Sequence, residues 1–123
     1  MPLLSRVALP EKFQMGIFSF FTGNKKNKQI ADFLERGCII ADVRTPQEFA
    51  QGHIQGAKNF PLQQLGSQVN KIKSTGKPVI TCCRSGMRSA SAASLLSSVG
   101  VETINGGAWN SLNQTIKKKK QTI

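Results

Sequence analysis

Short apolar runs alternate with helix-period segments along most of this chain, and that alternation constrains its fold more than any other feature. Cys38-Ile39-Ile40-Ala41-Asp42-Val43 and Pro78-Val79-Ile80-Thr81-Cys82 are mostly apolar runs of the kind that form strands buried on both faces. Ahead of the first, residues 28–36 place Ile30, Phe33 and Leu34 on one helical face, and Gly37 stops the helix. After it, Thr45-Pro46-Gln47-Glu48 reads as an N-cap, a proline at the first helical position and a capping-box glutamate, with Gly52 as the stop. Ala57 to Pro61 is a short extended piece. Leu62, Leu65, Val69 and Ile72 recur at near-helical spacing before Gly76 and Pro78. Ser89 to Val99 reads as a helix stopped by Gly100, Val101 to Ile104 as a last strand, and Gly106-Gly107 as the lead into a short helix around Trp109 and Leu112. Strands alternating with helices predict an α/β fold, a central parallel sheet with helices on both faces. In such sheets the active site lies at the carboxyl ends of the strands.

A chain of 123 residues is sized for one domain and buries enough surface to fold without a metal or disulfide. Its 39% hydrophobic and 19% charged residues exclude intrinsic disorder as its class, and apolar runs of only a few residues exclude a transmembrane helix. The net charge of +11 is concentrated at the ends. Arg6, Lys12, Lys25, Lys26 and Lys28 face only Glu11, and Lys117 to Lys120 face no acid, whereas residues 29–116 hold eight bases against five acids. The expected organisation is a basic N-terminal extension over 1–27, a domain over 28–116 and a basic tail over 117–123. Basic ends on a nearly balanced domain read as solvated termini, and a nucleic-acid groove is not expected. Leu3, Leu4, Val7, Ala8 and Leu9 are too interrupted for a signal peptide, and Met15 is a second candidate for the first residue. Ile17, Phe18, Phe20 and Phe21 are expected to pack on the domain.

Cys38, Cys82 and Cys83 form an odd set with no CxxC, and His53 is the one histidine, so neither a disulfide framework nor a metal site is expected. A reducing, cytoplasmic setting follows. Cys38, within an apolar strand, reads as a small buried hydrophobe, and so does Cys82, whose side chain points opposite to that of Cys83. Cys83 differs. It ends a strand and opens Cys83-Arg84-Ser85-Gly86-Met87-Arg88-Ser89, which runs into a helix. The helix N-terminus offers unpaired amides and a positive dipole end, and Arg84 and Arg88 add charge, all favouring thiolate over thiol. Gly86 lets the backbone curl into an anion nest. The substrate is therefore expected to be an anion attacked directly by sulfur, with no general base nearby. His53, between glycines, reads as a structural hydrogen-bonding residue, Trp109 as core, and Arg44 with Glu48 as an ion pair four residues apart. Asp42 reads either as a catalytic carboxylate or as a brace.

These motifs resemble a single-domain rhodanese, the thiosulfate sulfurtransferase-like family. Asp42-Val43-Arg44, Glu48-Phe49, Gly52-His53-Ile54, Gly56-Ala57, Asn59 and Pro61-Leu62 are similar to its first signature. Val79 to Ser89 and Gly106-Gly107 to Trp109 are similar to its second, and Gln55 departs from the proline that many members carry. The resemblance spans residues 28–116. It implies a sulfurtransferase in which Cys83 takes sulfane sulfur from an anionic donor such as thiosulfate. The resulting persulfide passes its sulfur to cyanide, a thiol or a protein acceptor, with no cofactor. It also implies a cradle of amides from Arg84, Ser85, Gly86, Met87 and Arg88, a donor drawn by both guanidinium groups, and a pocket braced by Asp42 and Arg44. A phosphatase or arsenate reductase of the same fold is the alternative, because Cys82 also lies six residues before Arg88; Cys82 continuing the strand and Thr81 preceding it speak against that reading. A sulfur carrier without turnover is the third reading.

Overall fold

In a computed structural model, residues 25–121 are described; the expected packing of Ile17 to Phe21 lies outside them. The elements in chain order are α1 (Lys25–Arg36), β1 (Ile39–Asp42), α2 (Pro46–Gln51), β2 (Lys58–Asn59), α3 (Leu62–Ser74), β3 (Val79–Cys83), α4 (Met87–Ser98), β4 (Thr103–Ala108) and α5 (Trp109–Gln121). The four strands form one sheet in the order β2-β1-β3-β4, with every pairing parallel.

Alternation along the central strands divides the core in two. Ala41, Val43, Val79 and Cys83 face Leu65, Ile72, Ala92 and Leu96 of α3 and α4. Ile80 and Cys82 face Ile30 and Phe33 of α1 and Leu112 and Ile116 of α5. Each such aliphatic side chain, fully buried, contributes about 1.5–3 kcal/mol, so the sheet is secured from both sides, as the apolar runs of β1 and β3 require. The capping box is formed as read: Thr45 accepts the Glu48 amide, and Glu48 accepts the Thr45 amide.

Helix α4 begins at Met87, two residues before Ser89, and β2 is shorter than Ala57 to Pro61; three other boundaries differ from the sequence reading with more consequence. Helix α1 begins at Lys25, ahead of residue 28. Helix α5 continues through Lys117 to Lys120 because Ile116 is buried against α1 and Lys119 pairs with Glu35. The last strand is Thr103–Ala108, displaced from Val101–Ile104, so Gly106 and Gly107 lie in the sheet. Its register against β3 shifts between Thr81 and Cys83, with Thr81 opposite Asn105 but Cys83 opposite Ala108. The extra residue is a bulge. Gly107 adopts φ +84, and a Cβ on Gly106 would lie 2.8 Å from both Ile80 Cγ2 and the Thr81 carbonyl oxygen. Glycine is thus required at one position by conformation and at the other by space.

Candidate active site

Strand β3 ends at Cys83, and three residues later α4 begins with Gly86 as its N-cap, at φ 97. That tight reversal turns main-chain amides toward the sulfur. The Gly86 amide donates to Cys83 Sγ at 3.0 Å and the Ser89 amide at 3.4 Å, while Ser89 Oγ lies 3.3 Å from Sγ. Cys83 has no exposed surface, and burial, the largest single influence, pushes its thiol up. Hydrogen bonds from the Ser89 hydroxyl and the amides of Ser89, Gly86 and Ser85 outweigh it and leave the thiol below its ordinary value. The sulfur is therefore fully buried yet more acidic than an ordinary thiol, and the lowering comes from hydrogen bonds rather than from arginine charge.

Cys82 provides the contrast. It sits among the apolar residues facing α1 and α5. Burial and then the charge of Asp42, opposed by Arg44, push its thiol up to about 12. A cysteine held in that state is a poor nucleophile at neutral pH, which counts against the Cys82 phosphatase reading.

The arginines sort differently from expectation. Arg44 does not pair with Glu48. Its Nε and Nη2 hold the Asp42 carboxylate at 2.7–3.1 Å, Nη2 also donates to the Gly52 carbonyl oxygen at 2.7 Å, and the guanidinium lies 4.7 Å over the Trp109 ring. Asn59 Nδ2 donates to the carbonyls of Asp42 and Arg44, fixing the strand end. Asp42 is fully buried and braces. Glu48 instead reaches across to Arg88, 40 residues away, in a two-pronged pair at 2.8 and 3.1 Å. That pair, then the Thr45 amide, lowers Glu48 to about 2. Of the two loop arginines, Arg88 is thus committed to an ion pair, whereas Arg84 makes none among the described residues. Arg84 borders a cleft of about 350 Å³ beside the loop, with Arg44, Glu48, Gly52 and Trp109 on its other sides.

Met87 stands 76% exposed in the first turn of α4. His53 donates from Nδ1 to the Phe49 carbonyl and stacks on the Phe49 ring, consistent with a structural role. Cys38 is partly buried and lies against the α1 and α5 core. Among the described residues no group of three or more His, Cys, Asp or Glu side chains could hold a metal ion, and no helix is long and apolar enough to cross a membrane.

Two residues at the site were not singled out from sequence. Ser89, fully buried, contacts the sulfur, and Asn105 in β4 contacts Ser89, Gly86 and Gly107. For Ser89 a signal was available, since a hydroxyl in the first turn of a helix that follows a reactive loop is poised over it. Asn105 had none, because its strand lacks an apolar pattern.

A parallel α/β sheet whose central strand delivers a cysteine into a ring of helix-terminal amides is the architecture of rhodanese-like domains. The rhodanese-like domain family matches residues 26–111, and the chain belongs to it. It is 42% identical over 87 residues to the uncharacterized protein YqhL of Bacillus subtilis, a match covering 69% of this chain and 68% of that protein. It is 31% identical over 83 residues to thiosulfate sulfurtransferase GlpE of Ectopseudomonas mendocina, covering 65% and 75%. Among solved structures, a rhodanese with anions from E. coli is similar at a TM-score of 0.55 and 29% identity, over 60% of this chain and 89% of that one.

Proposed function

We propose that this chain is a sulfurtransferase that carries sulfane sulfur on Cys83. The observation that carries the reading is the Cys83 sulfur accepting the Gly86 and Ser89 amides at 3.0 and 3.4 Å, with its thiol held below the ordinary range. The thiolate attacks the outer sulfur of a donor such as thiosulfate. An S–S bond forms to Cys83, the donor's own S–S bond breaks, and sulfite departs with that bond's electron pair. The outer sulfur of the persulfide keeps a negative charge. An acceptor such as cyanide or a thiolate then attacks that outer sulfur, and the Cys83 thiolate leaves. No proton moves at sulfur in either step, which agrees with a loop that has no side-chain base.

Arg84 is the cation available to the incoming anion, and the amides of Ser85, Gly86 and Ser89 hold the negative sulfur. Arg88 acts through Glu48 as a clamp joining α4 to α2. The relatives named thiosulfate sulfurtransferase support the donor class. Cytoplasmic residence, proposed with it, rests on the free thiols. Intact-mass analysis after thiosulfate treatment, followed by cyanide, tests the reading. A gain of one sulfur atom mapped to Cys83 and lost to cyanide as thiocyanate is expected. A gain on Cys82 or Cys38, or none, overturns it. Sulfur that cyanide cannot remove would mark a carrier instead.

A further inference from the structure

The Cys83 sulfur is linked to β4 by a chain of hydrogen bonds whose direction, while the sulfur is a thiol, is set by main-chain partners. Asn105 Oδ1 receives the Gly107 amide at 2.9 Å, and Asn105 Nδ2 donates to the Gly86 carbonyl oxygen at 3.2 Å. A main-chain amide can only donate and a carbonyl can only accept, so both ends of the Asn105 amide are assigned by their partners. Ser89 Oγ lies 2.7 Å from Oδ1 and must therefore be the donor. A hydroxyl has one hydrogen. While that hydrogen points at Asn105, Ser89 offers the sulfur, 3.3 Å away, a lone pair. The protonated thiol satisfies this arrangement, S–H donating to Oγ and Oγ–H to Oδ1. The thiolate does not, because two lone pairs then face each other until the hydroxyl turns.

We propose that Asn105 is a positioning residue that sets the state of the Cys83 sulfur through Ser89, holding the serine hydrogen while the sulfur is a thiol and yielding it when the sulfur ionises. The thiol proton passes to a buffer base in solvent, the Ser89 hydroxyl rotates from Oδ1 to Sγ, and Oδ1 keeps the Gly107 amide. The register shift in β4 serves this, because it brings the Gly107 amide onto the side chain of Asn105 beside the loop. Asn105 thus opposes ionisation, while Ser89 and the amides favour it. The inference rests on Cys83 being the reactive sulfur.

The other charged or titratable groups around this sulfur and its relay are Cys82 next to it in β3, Arg84 in the loop, Arg88 on α4 with its partner Glu48 from α2, the Asp42–Arg44 pair at the end of β1, and Lys26 of α1, whose Nζ lies 4.0 Å from where a Cβ on Gly107 would stand. Strand β4 contributes none. Cys82 near 12 and Glu48 near 2 stay in one state through the neutral range.

The test is the pH dependence of Cys83 alkylation by iodoacetamide in the full chain, with the modified residue mapped by mass. Ser89→Ala removes the donor and should raise the midpoint by about one pH unit, a tenfold loss of thiolate below it. Asn105→Leu frees the serine hydrogen for sulfur and should lower the midpoint by a similar amount, and the double variant should follow Ser89→Ala. A brace without this role predicts that Asn105→Leu raises the midpoint or leaves it unmoved, and either result overturns the proposal. In the unmutated protein, the Asn105 carboxamide carbon and the Gly107 amide should shift in NMR spectra with the same midpoint as Cys83 Cβ. Absence of that shared titration overturns the proposal even if a variant fails to fold. Alkylation requires no sulfur transfer, so loss of the sulfurtransferase reading would show separately in the thiosulfate mass experiment.

Discussion

The buried pair of Asp42 and Arg44 gives the sharpest test of how this site is built. Both side chains are almost wholly enclosed, at 0% and 5% exposure. The carboxylate takes the Arg44 amide at 3.1 Å, Nε at 2.9 and 3.1 Å, and Nη2 at 2.7 Å. Asp42→Ala leaves a guanidinium in the protein with the Gly52 carbonyl, the Trp109 ring and the more distant Glu48 charge to compensate it. Losing one partner of such a pair costs about 3–5 kcal/mol, a large share of the roughly 5–15 kcal/mol that holds a domain of this size together. Asparagine is not a mild substitute: its amide nitrogen would meet Arg44 Nη2, donor against donor. Removing both charges is different. Asp42→Ala with Arg44→Met deletes the stranded cation while leaving an apolar side chain against Trp109, so at least half of the loss should return. Urea unfolding of the two single variants and the double variant closes the cycle, with an expected coupling of about 2–3 kcal/mol. A loss below about 1 kcal/mol for Asp42→Ala, or a double variant no more stable than that single, would refute the reasoning.

Cys83→Ser should abolish thiosulfate:cyanide transfer while Cys82→Ser retains most of it; equal losses in a thiocyanate assay would refute the assignment to Cys83. Glu48 is lowered in the fold from 4.5 to about 2, chiefly by Arg88. A depressed carboxyl contributes its stability above the unfolded value and loses it as pH falls toward the folded one. The urea midpoint should therefore drop between pH 4.5 and 2 more steeply in the parent than in Glu48→Gln, and parallel slopes would count against the clamp. Gly106→Ala forces a Cβ to 2.8 Å from the Thr81 carbonyl oxygen, which cannot move without disturbing β3. A cost of about 1–3 kcal/mol in urea unfolding is expected, and a neutral result would mean that the bulge yields.

What the sequence made legible follows from what leaves a local pattern. Strands β1 and β3 are buried on both faces and therefore read as apolar runs, and Thr45, Pro46 and Glu48 announce a helix start within four residues. The ring of amides at Cys83 was readable because those amides and Gly86 lie within seven residues of it. Strand β4 was not. Thr-Ile-Asn-Gly-Gly-Ala has no apolar run, its residues are only half-buried, and its pairing is dictated by β3 rather than by its own composition. Helix α5 was read only as a short helix around Trp109 and Leu112, with the domain ending at 116, because a lysine run looks like a tail, although Ile116 buries against α1 and carries the helix onward.

The misread ion pair shows the same limit and explains how the charges at the site are divided. Spacing alone offers Arg44 and Glu48 as neighbours, but the capping box commits Glu48 to the start of α2, where it bonds the Thr45 amide and hydroxyl. Arg44, two residues from Asp42 at the end of the same strand, closes on that carboxylate instead. Glu48 is left facing α4, and Arg88, the second residue of that helix, meets it. Arg84 lies in the turn before the helix and finds no acid among the described residues. One loop arginine therefore secures the frame, and the other makes no ion pair among the described residues. The order of strand end, cap and helix start decides which does which, and that order becomes visible only when β1 and β3 lie side by side.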